Sequence, residues 1–220
     1  MRSRPATILR LTLLAALGMV TLVSGSLPAS SQGNRTEGNR TEGNRAGPAA
    51  PNQPRAVRPD RSRDSEFLFG ALKAAPDATA AKAVEGRIMA YWLASGSDTA
   101  DLLMSRVKTA VDQKDLDLAI QLLDSLVELR PEYVEAWNRR ATLHFMNKSY
   151  AQSLADIRQV LAREPRHFGA LAGLGMILQD IGEEKVALDA FRRAIAVHPH
   201  LERIGDMIES LTEKVEGRPI

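Results

Sequence analysis

Three prolines, Pro131, Pro165 and Pro199, stand 34 residues apart, and the intervals between them match in register. Ala119, Ser153 and Ala187 lie twelve places before the three prolines, Leu123, Ile157 and Phe191 eight before, and Leu126, Val160 and Ala194 five before. A fixed period with small, large and proline landmarks marks a repeat array, in which each unit buries its apolar face only against its neighbours. Within a unit the apolar residues follow helical spacing in two bouts, as in Trp137, Ala141, His144 and Phe145, then Tyr150, Leu154, Ile157, Val160 and Leu161. Each unit therefore reads as a helical hairpin. The small residue lets the second helix approach the first, and the large one a turn later fills the space beside it. Proline cannot continue a helix and suits a first turn, so it is expected to stop one hairpin and start the next. Gly182 is expected to turn the last hairpin, where Asn147 and Lys148 stand in the preceding one.

These landmarks resemble the tetratricopeptide repeat, whose pattern is a tryptophan, a leucine-glycine pair, a tyrosine, an alanine, an aromatic and a proline. The unit 168–201 matches best, with Leu174, Gly175, Ala187, Phe191, Ala194 and Pro199. In 134–167, Trp137, Ser153 and Pro165 match, but Arg140 and Ala141 replace the pair and His144 takes the tyrosine place. In 100–133, Arg106 and Val107 stand at the pair and Ala110 at the tyrosine. A buried, unpaired guanidinium is costly, so Arg106 and Arg140 should each reach solvent or a carboxylate. The resemblance implies an all-α fold, a tetratricopeptide-type helical-hairpin solenoid of about three repeats over 98–201, with flanking capping helices. The wording of "WNRRAT", "EPRHFGALAGLG" and "GRPI" is also similar to exported, periplasmic tetratricopeptide repeat proteins of the alphaproteobacterial type. That similarity implies a soluble periplasmic protein with a role in cell-envelope maintenance or assembly.

Both ends of the array need closing. Leu201, Ile204, Ile208, Leu211 and Val215 form one stripe, so 202–220 is expected to hold a C-terminal capping helix. Upstream, 65–97 reads as a helical pair broken at Pro76 and ended at Gly96, expected to cap the amino-terminal side, with Asp98 as N-cap of the first repeat.

The chain opens with Arg2, Arg4 and Arg10 around an apolar run from Leu11 to Val23 and small residues near Ser31. This is the grammar of a signal peptide, placed at 1–31; the run is short of the ~20 residues that span a bilayer, so no stable membrane insertion is expected after cleavage. The stretch 32–64, with GNRTE twice and almost no large apolar side chain, reads as a disordered low-complexity tether. Its sequons at Asn34 and Asn39 are a by-product of the repeat. With no cysteine in the chain, neither a disulfide nor a lipid-modified cysteine is available. The net charge of +2 is misleading: the signal carries +3 and the tether, with seven arginines against four acids, another +3, so 65–220 carries −4. A mildly acidic folded part argues against nucleic acid, whose phosphates need a basic face.

No catalytic or metal constellation stands out among the four histidines, the serines or the carboxylates. The chain is expected to be non-enzymatic, without cofactor or metal, and His198-Pro199-His200 is expected in a solvent-facing loop. In the repeat family the second, fifth, ninth and twelfth residues of each unit line the concave groove. Carried over, these are Asp101, Met104, Lys108 and Val111; Glu135, Asn138, Thr142 and Phe145; and Gly169, Ala172, Met176 and Gln179. Met104, Phe145 and Met176 give soft apolar spots that suit a peptide or helical segment of another protein, or else pack within the array. Lys108 and Arg139 are the only cations at the places of the family's carboxylate clamp, which disfavours a chaperone-tail adaptor and leaves an attraction for an acidic partner. Gly169 and Gly173 leave a smooth strip bordered by Arg166, His167 and Met176; it either admits a partner backbone or seats the preceding unit's first helix near Asn138 and Thr142. A receptor for a small or polymeric envelope ligand such as a glycan is the other reading, and Phe145 is the one groove aromatic named for it.

Overall fold

In the computed structural model, which describes residues 61–201 and 203–217, Arg61–Lys73 (α1) and Ala78–Leu93 (α2) precede three helical hairpins. These are Asp98–Asp112 (α3) with Leu116–Leu129 (α4), Val134–Met146 (α5) with Tyr150–Arg163 (α6), and Phe168–Asp180 (α7) with Glu184–Val197 (α8); Ile204–Val215 (α9) follows. The described residues hold no strand. Each helix from α3 to α9 packs on the next in order, which is the helical-hairpin solenoid implied by the proline register. The signal peptide 1–31, the sequons and nearly all of the tether lie outside the described residues, and α1 begins at Arg61, ahead of the boundary expected at 65.

Size complementarity holds each hairpin together. Ala119, Ser153 and Ala187 are fully buried, and the Ser153 hydroxyl donates to the Ala141 carbonyl at 2.7 Å, so a polar side chain serves at an alanine place. Val107 shares a core with Leu123, Ala141 with Ile157, and Gly175 backs directly onto Phe191. As the residue on the second helix grows from leucine to phenylalanine, its counterpart on the first shrinks from valine to glycine. A Cβ on Gly175 would stand 2.4 Å from Phe191 Cε1, inside any allowed contact.

The turns repeat as well. Lys114, Lys148 and Gly182 occupy one place of the three units and all adopt left-handed backbone, at φ 62°, 58° and 86°. Contrary to the expectation from sequence, the prolines do not begin the following helix. Tyr133, His167 and Leu201 N–H groups donate to the carbonyls of Arg130, Glu164 and His198, so each proline is the second residue of a β-turn, where its fixed φ fits. Trp137 pins the first of these turns by donating from Nε1 to the Pro131 carbonyl at 2.9 Å.

The helical pair α1–α2 does not cap the array by stacking on α3, contrary to expectation. At the third place of the unit, Ala136 and Ala170 are 0% and 2% exposed because a preceding hairpin covers them, whereas Leu102 is 62% exposed. Likewise Leu143 and Ile177 are buried but Thr109 is exposed. The outer face of α3 is left to solvent and made mostly polar there. Instead, α1–α2 lies along the edge formed by the three inter-repeat turns, touching α5 and α8. The N-cap of α3 is Ser97, whose side chain accepts from Ala100 N–H, and not Asp98, which sits in the first turn. At the other end Ile204 and Leu211 of α9 bury against the α7–α8 core, while Arg192–Glu216 and Lys214–Glu184 pairs tie its polar side to α8. That helix begins at Ile204 rather than 202, after left-handed Arg203. No helix among the described residues is long and apolar enough to cross a membrane.

Candidate binding groove

The groove positions carried over from the repeat family fall on α3, α5 and α7. Lys108 is exposed and paired with Asp112 at 2.8 Å, one turn on along α3. Val111 packs at the border of the first core. On α5, Asn138 donates to Glu135 Oε2 at 3.2 Å, and Thr142 turns its hydroxyl back to the Asn138 carbonyl at 3.0 Å. Phe145 is half-buried against Tyr150, with ring centroids 6.0 Å apart. Met176 and Gln179 are half-buried on α7. Met104 and Ala172 are not open contacts: both sink into the array, Met104 into the first core beside Ala100 and Val107, where a flexible thioether fills the gap.

The glycine strip is real space. Gly169 is exposed and Gly173 half-buried. A Cβ at Gly173 would meet only Ile157 Cδ1 of α6, at an ordinary 3.8 Å, and one at Gly169 only the His167 ring. Neither Asn138 nor Thr142 is within reach, so the strip does not seat α5.

Arg166 and His167 are engaged by the amino-terminal pair and are not free groove contacts. Arg166 donates to Glu66 and to the Ser65 hydroxyl, both at 2.9 Å, and lies 4.1 Å over the Phe69 ring. His167 is buried: its Nδ1 accepts from Ala170 N–H at 3.1 Å and caps α7, its Nε2 stands 3.6 Å from Glu135, and Trp92 stacks on its ring at 3.9 Å. Arg139, also placed in the groove by sequence, faces Glu135 at 3.1 Å. Glu135, named as a groove position, thus becomes the centre of a buried polar group. Arg139 Nε and His167 Nε2 face it without a hydrogen bond of good geometry, so their contact with the carboxylate is chiefly ionic.

The other turns are covered in the same way. Tyr133 donates its phenol to the Leu93 carbonyl at 2.8 Å, and burial pushes its ionisation well above the ordinary range. His198 is buried 3.5 Å from Glu85, whose carboxyl is held below its ordinary value of 4.5, first by the hydrogen bond with His198. His200 bonds the Ala75 carbonyl at 2.9 Å. The His198-Pro199-His200 segment is therefore not a solvent-facing loop, because α1–α2 lies on it. Of the two arginines at the leucine place, Arg106 is exposed, and Arg140 makes a double hydrogen bond to buried Asp156 and a third bond to Asp124, which together raise its affinity for the proton.

The chain can be set beside known proteins on this geometry. The tetratricopeptide repeat profile matches residues 104–156 and 147–201. A TPR repeat-containing protein of Rhizobium etli is 39% identical over 150 residues, covering 68% of this chain and 74% of that protein. Among solved structures, MamA superimposes with a TM-score of 0.52 at 21% identity, over 72% of this chain and 85% of its own. The first TPR of Spaghetti, bound to an HSP90 peptide, gives 0.51 at 16% identity, over 53% of this chain and 93% of its own. At such identities these two structures speak for the fold alone. Repeat register, profile and the Rhizobium etli relative agree, and the chain belongs to the tetratricopeptide repeat family.

Proposed function

We propose that this protein is a non-catalytic scaffold that is exported to the periplasm and holds a peptide or helical segment of another protein in its concave face, in the service of the cell envelope. The observation that carries the reading is the open strip at Gly169 and Gly173 on α7, with half-buried Met176 and Gln179 farther along the same helix and half-buried Asn138, Thr142 and Phe145 on α5. Backbone can approach backbone there, with soft apolar anchors and hydrogen-bonding groups beside it. The peptide bound to the Spaghetti domain supports the same use of this fold. Export rests on the opening arginines and apolar run of the sequence. A glycan is the weaker candidate ligand, because Phe145, the one aromatic named for it, is half-buried and packs obliquely on Tyr150, at 34°.

The test is capture from an envelope extract by the wild-type chain and by a Phe145→Asp, Gly173→Asp variant. The reading expects a protein retained by the first and lost by the second, and a chain released by osmotic shock with a mass lacking about the first 31 residues. Equal capture by both chains, or a chain that stays in the cytoplasm at full mass, would count against the groove and the export respectively.

A further inference from the structure

The burial of Glu135 cannot be a property of the repeat. At the same, second place of the unit Asp101 and Gly169 are exposed, while Glu135 is 2% exposed. What differs is α2, whose Trp92 stacks on His167 beside it. The same helix grips the other turns at equivalent repeat places: Arg130 donates to the Ser95 carbonyl just beyond α2, and His198, its counterpart two units on, faces Glu85. Two equivalent positions are thus met by one segment, and the turn between them stacks on Trp92, so α2 follows the row of turns.

Two further observations show how the contact is held. The three cores inside the repeats contain no residue of α1 or α2, whereas the core under α1–α2 borrows only Phe168, Val197 and Leu201 from the array. The remaining contact is the Trp92–His167 stack and the hydrogen bonds of Arg130, Tyr133, Arg166, His198 and His200, and within it Trp92 Nε1, His167 Nε2 and His198 Nδ1 are buried without a hydrogen-bond partner. A segment that packs mainly on itself and leaves polar atoms unpaired against its neighbour belongs to the low-stability end of a structure. Residues 94–97, including left-handed Gly96, join it to α3.

We infer that the edge formed by the three inter-repeat turns is a helix-binding surface and that α1–α2 is a displaceable strap occupying it from within the same chain. The surface recognises an amphipathic helix with an aromatic ring that stacks on His167 and a carboxylate two turns earlier that meets His198, the seven-residue spacing of Glu85 and Trp92. Displacing the strap uncovers Glu135, Phe168 and Arg166 next to the glycine strip. The inference does not depend on the groove reading, since no atom of α1 or α2 lies within 4 Å of a Cβ at Gly169 or Gly173.

Native-state hydrogen exchange on the full wild-type chain, with a labelled peptide of residues 77–97, tests it. The strap predicts that the amides of 84–93 exchange together at least tenfold faster than those of α5–α7. It also predicts that the peptide binds a Trp92→Ala chain at least tenfold more tightly than wild type, and that Trp92→Ala or Glu85→Gln within the peptide weakens binding at least tenfold. Exchange of α2 in one step with the repeats would overturn it. So would loss of α5–α7 protection in the Trp92→Ala chain, because the pair would then be part of the core. Failure of the peptide to bind either chain would overturn the helix-binding surface.

Discussion

Gly173 and Gly175 lie two residues apart in α7, and the same alanine substitution should move stability in opposite directions. At Gly173 the new Cβ meets one atom, Ile157 Cδ1, at 3.8 Å. With no clash to offset it, relief of the glycine penalty in a helix interior gives a gain of about 0.5–1 kcal/mol. For a domain of this size that raises Tm by roughly 1–4 °C. At Gly175 the Cβ would lie 2.4, 2.5 and 2.8 Å from three atoms of the Phe191 ring. That ring is fully buried and cannot swing into solvent. Overpacking of this kind costs about 1–3 kcal/mol, and with three atoms in collision the upper part of the range applies, leaving a net loss of about 1–2 kcal/mol after the helix term. Urea titrations followed by circular dichroism would measure both. A stabilised Gly175→Ala or a destabilised Gly173→Ala would refute the packing argument. Gly169→Ala with Gly173→Ala should give a chain that melts higher yet holds its partner less well, since the two methyl groups fill the strip.

Two other outcomes follow from the same geometry. Lys148 holds left-handed backbone at φ 58° where the third repeat has glycine, so Lys148→Gly should stabilise by about 0.5–1 kcal/mol and Gly182→Ala should destabilise by at least as much, both read from urea midpoints. The Glu85 carboxyl is depressed below 4.5 in the folded chain, so its contribution is fully present above that value and is lost as pH falls through the lowered one. Trp92 fluorescence in a Trp137→Phe background should therefore report loosening of α2 below about pH 4.5, and an unchanged acid profile in Glu85→Gln would exclude Glu85 as the cause.

The repeats were legible because their information is local. Each landmark acts on a partner within the same unit, such as Ser153 on Ala141 or Phe191 on Gly175, so a fixed register translates directly into packing. The position of α1–α2 was not legible. Trp92 and His167 are 75 residues apart in the chain, and in the sequence Trp92 is one more apolar residue on a helical stripe. What could have been noticed is the outer face of α3: Thr109 stands where the other units have Leu143 and Ile177, a polar replacement that signals no hairpin stacked before it. Groove positions carried over by register name helices but carry no information on depth. Met104 and Arg166 have the chemistry of binding residues, yet the first is drawn into a core and the second is taken by Glu66.

The central claim is that the open face of α5 and α7 receives a protein segment, and site-specific photocrosslinking in living cells tests it most directly. A photoactivatable residue placed at Thr142 or Gln179, in the groove, or at Arg158, exposed on α6, would report which surface meets a partner. The account predicts a discrete, reproducible adduct of one larger mass from the two groove positions and none from Arg158. Adducts from Arg158 alone, or the same adducts from all three positions, would contradict it.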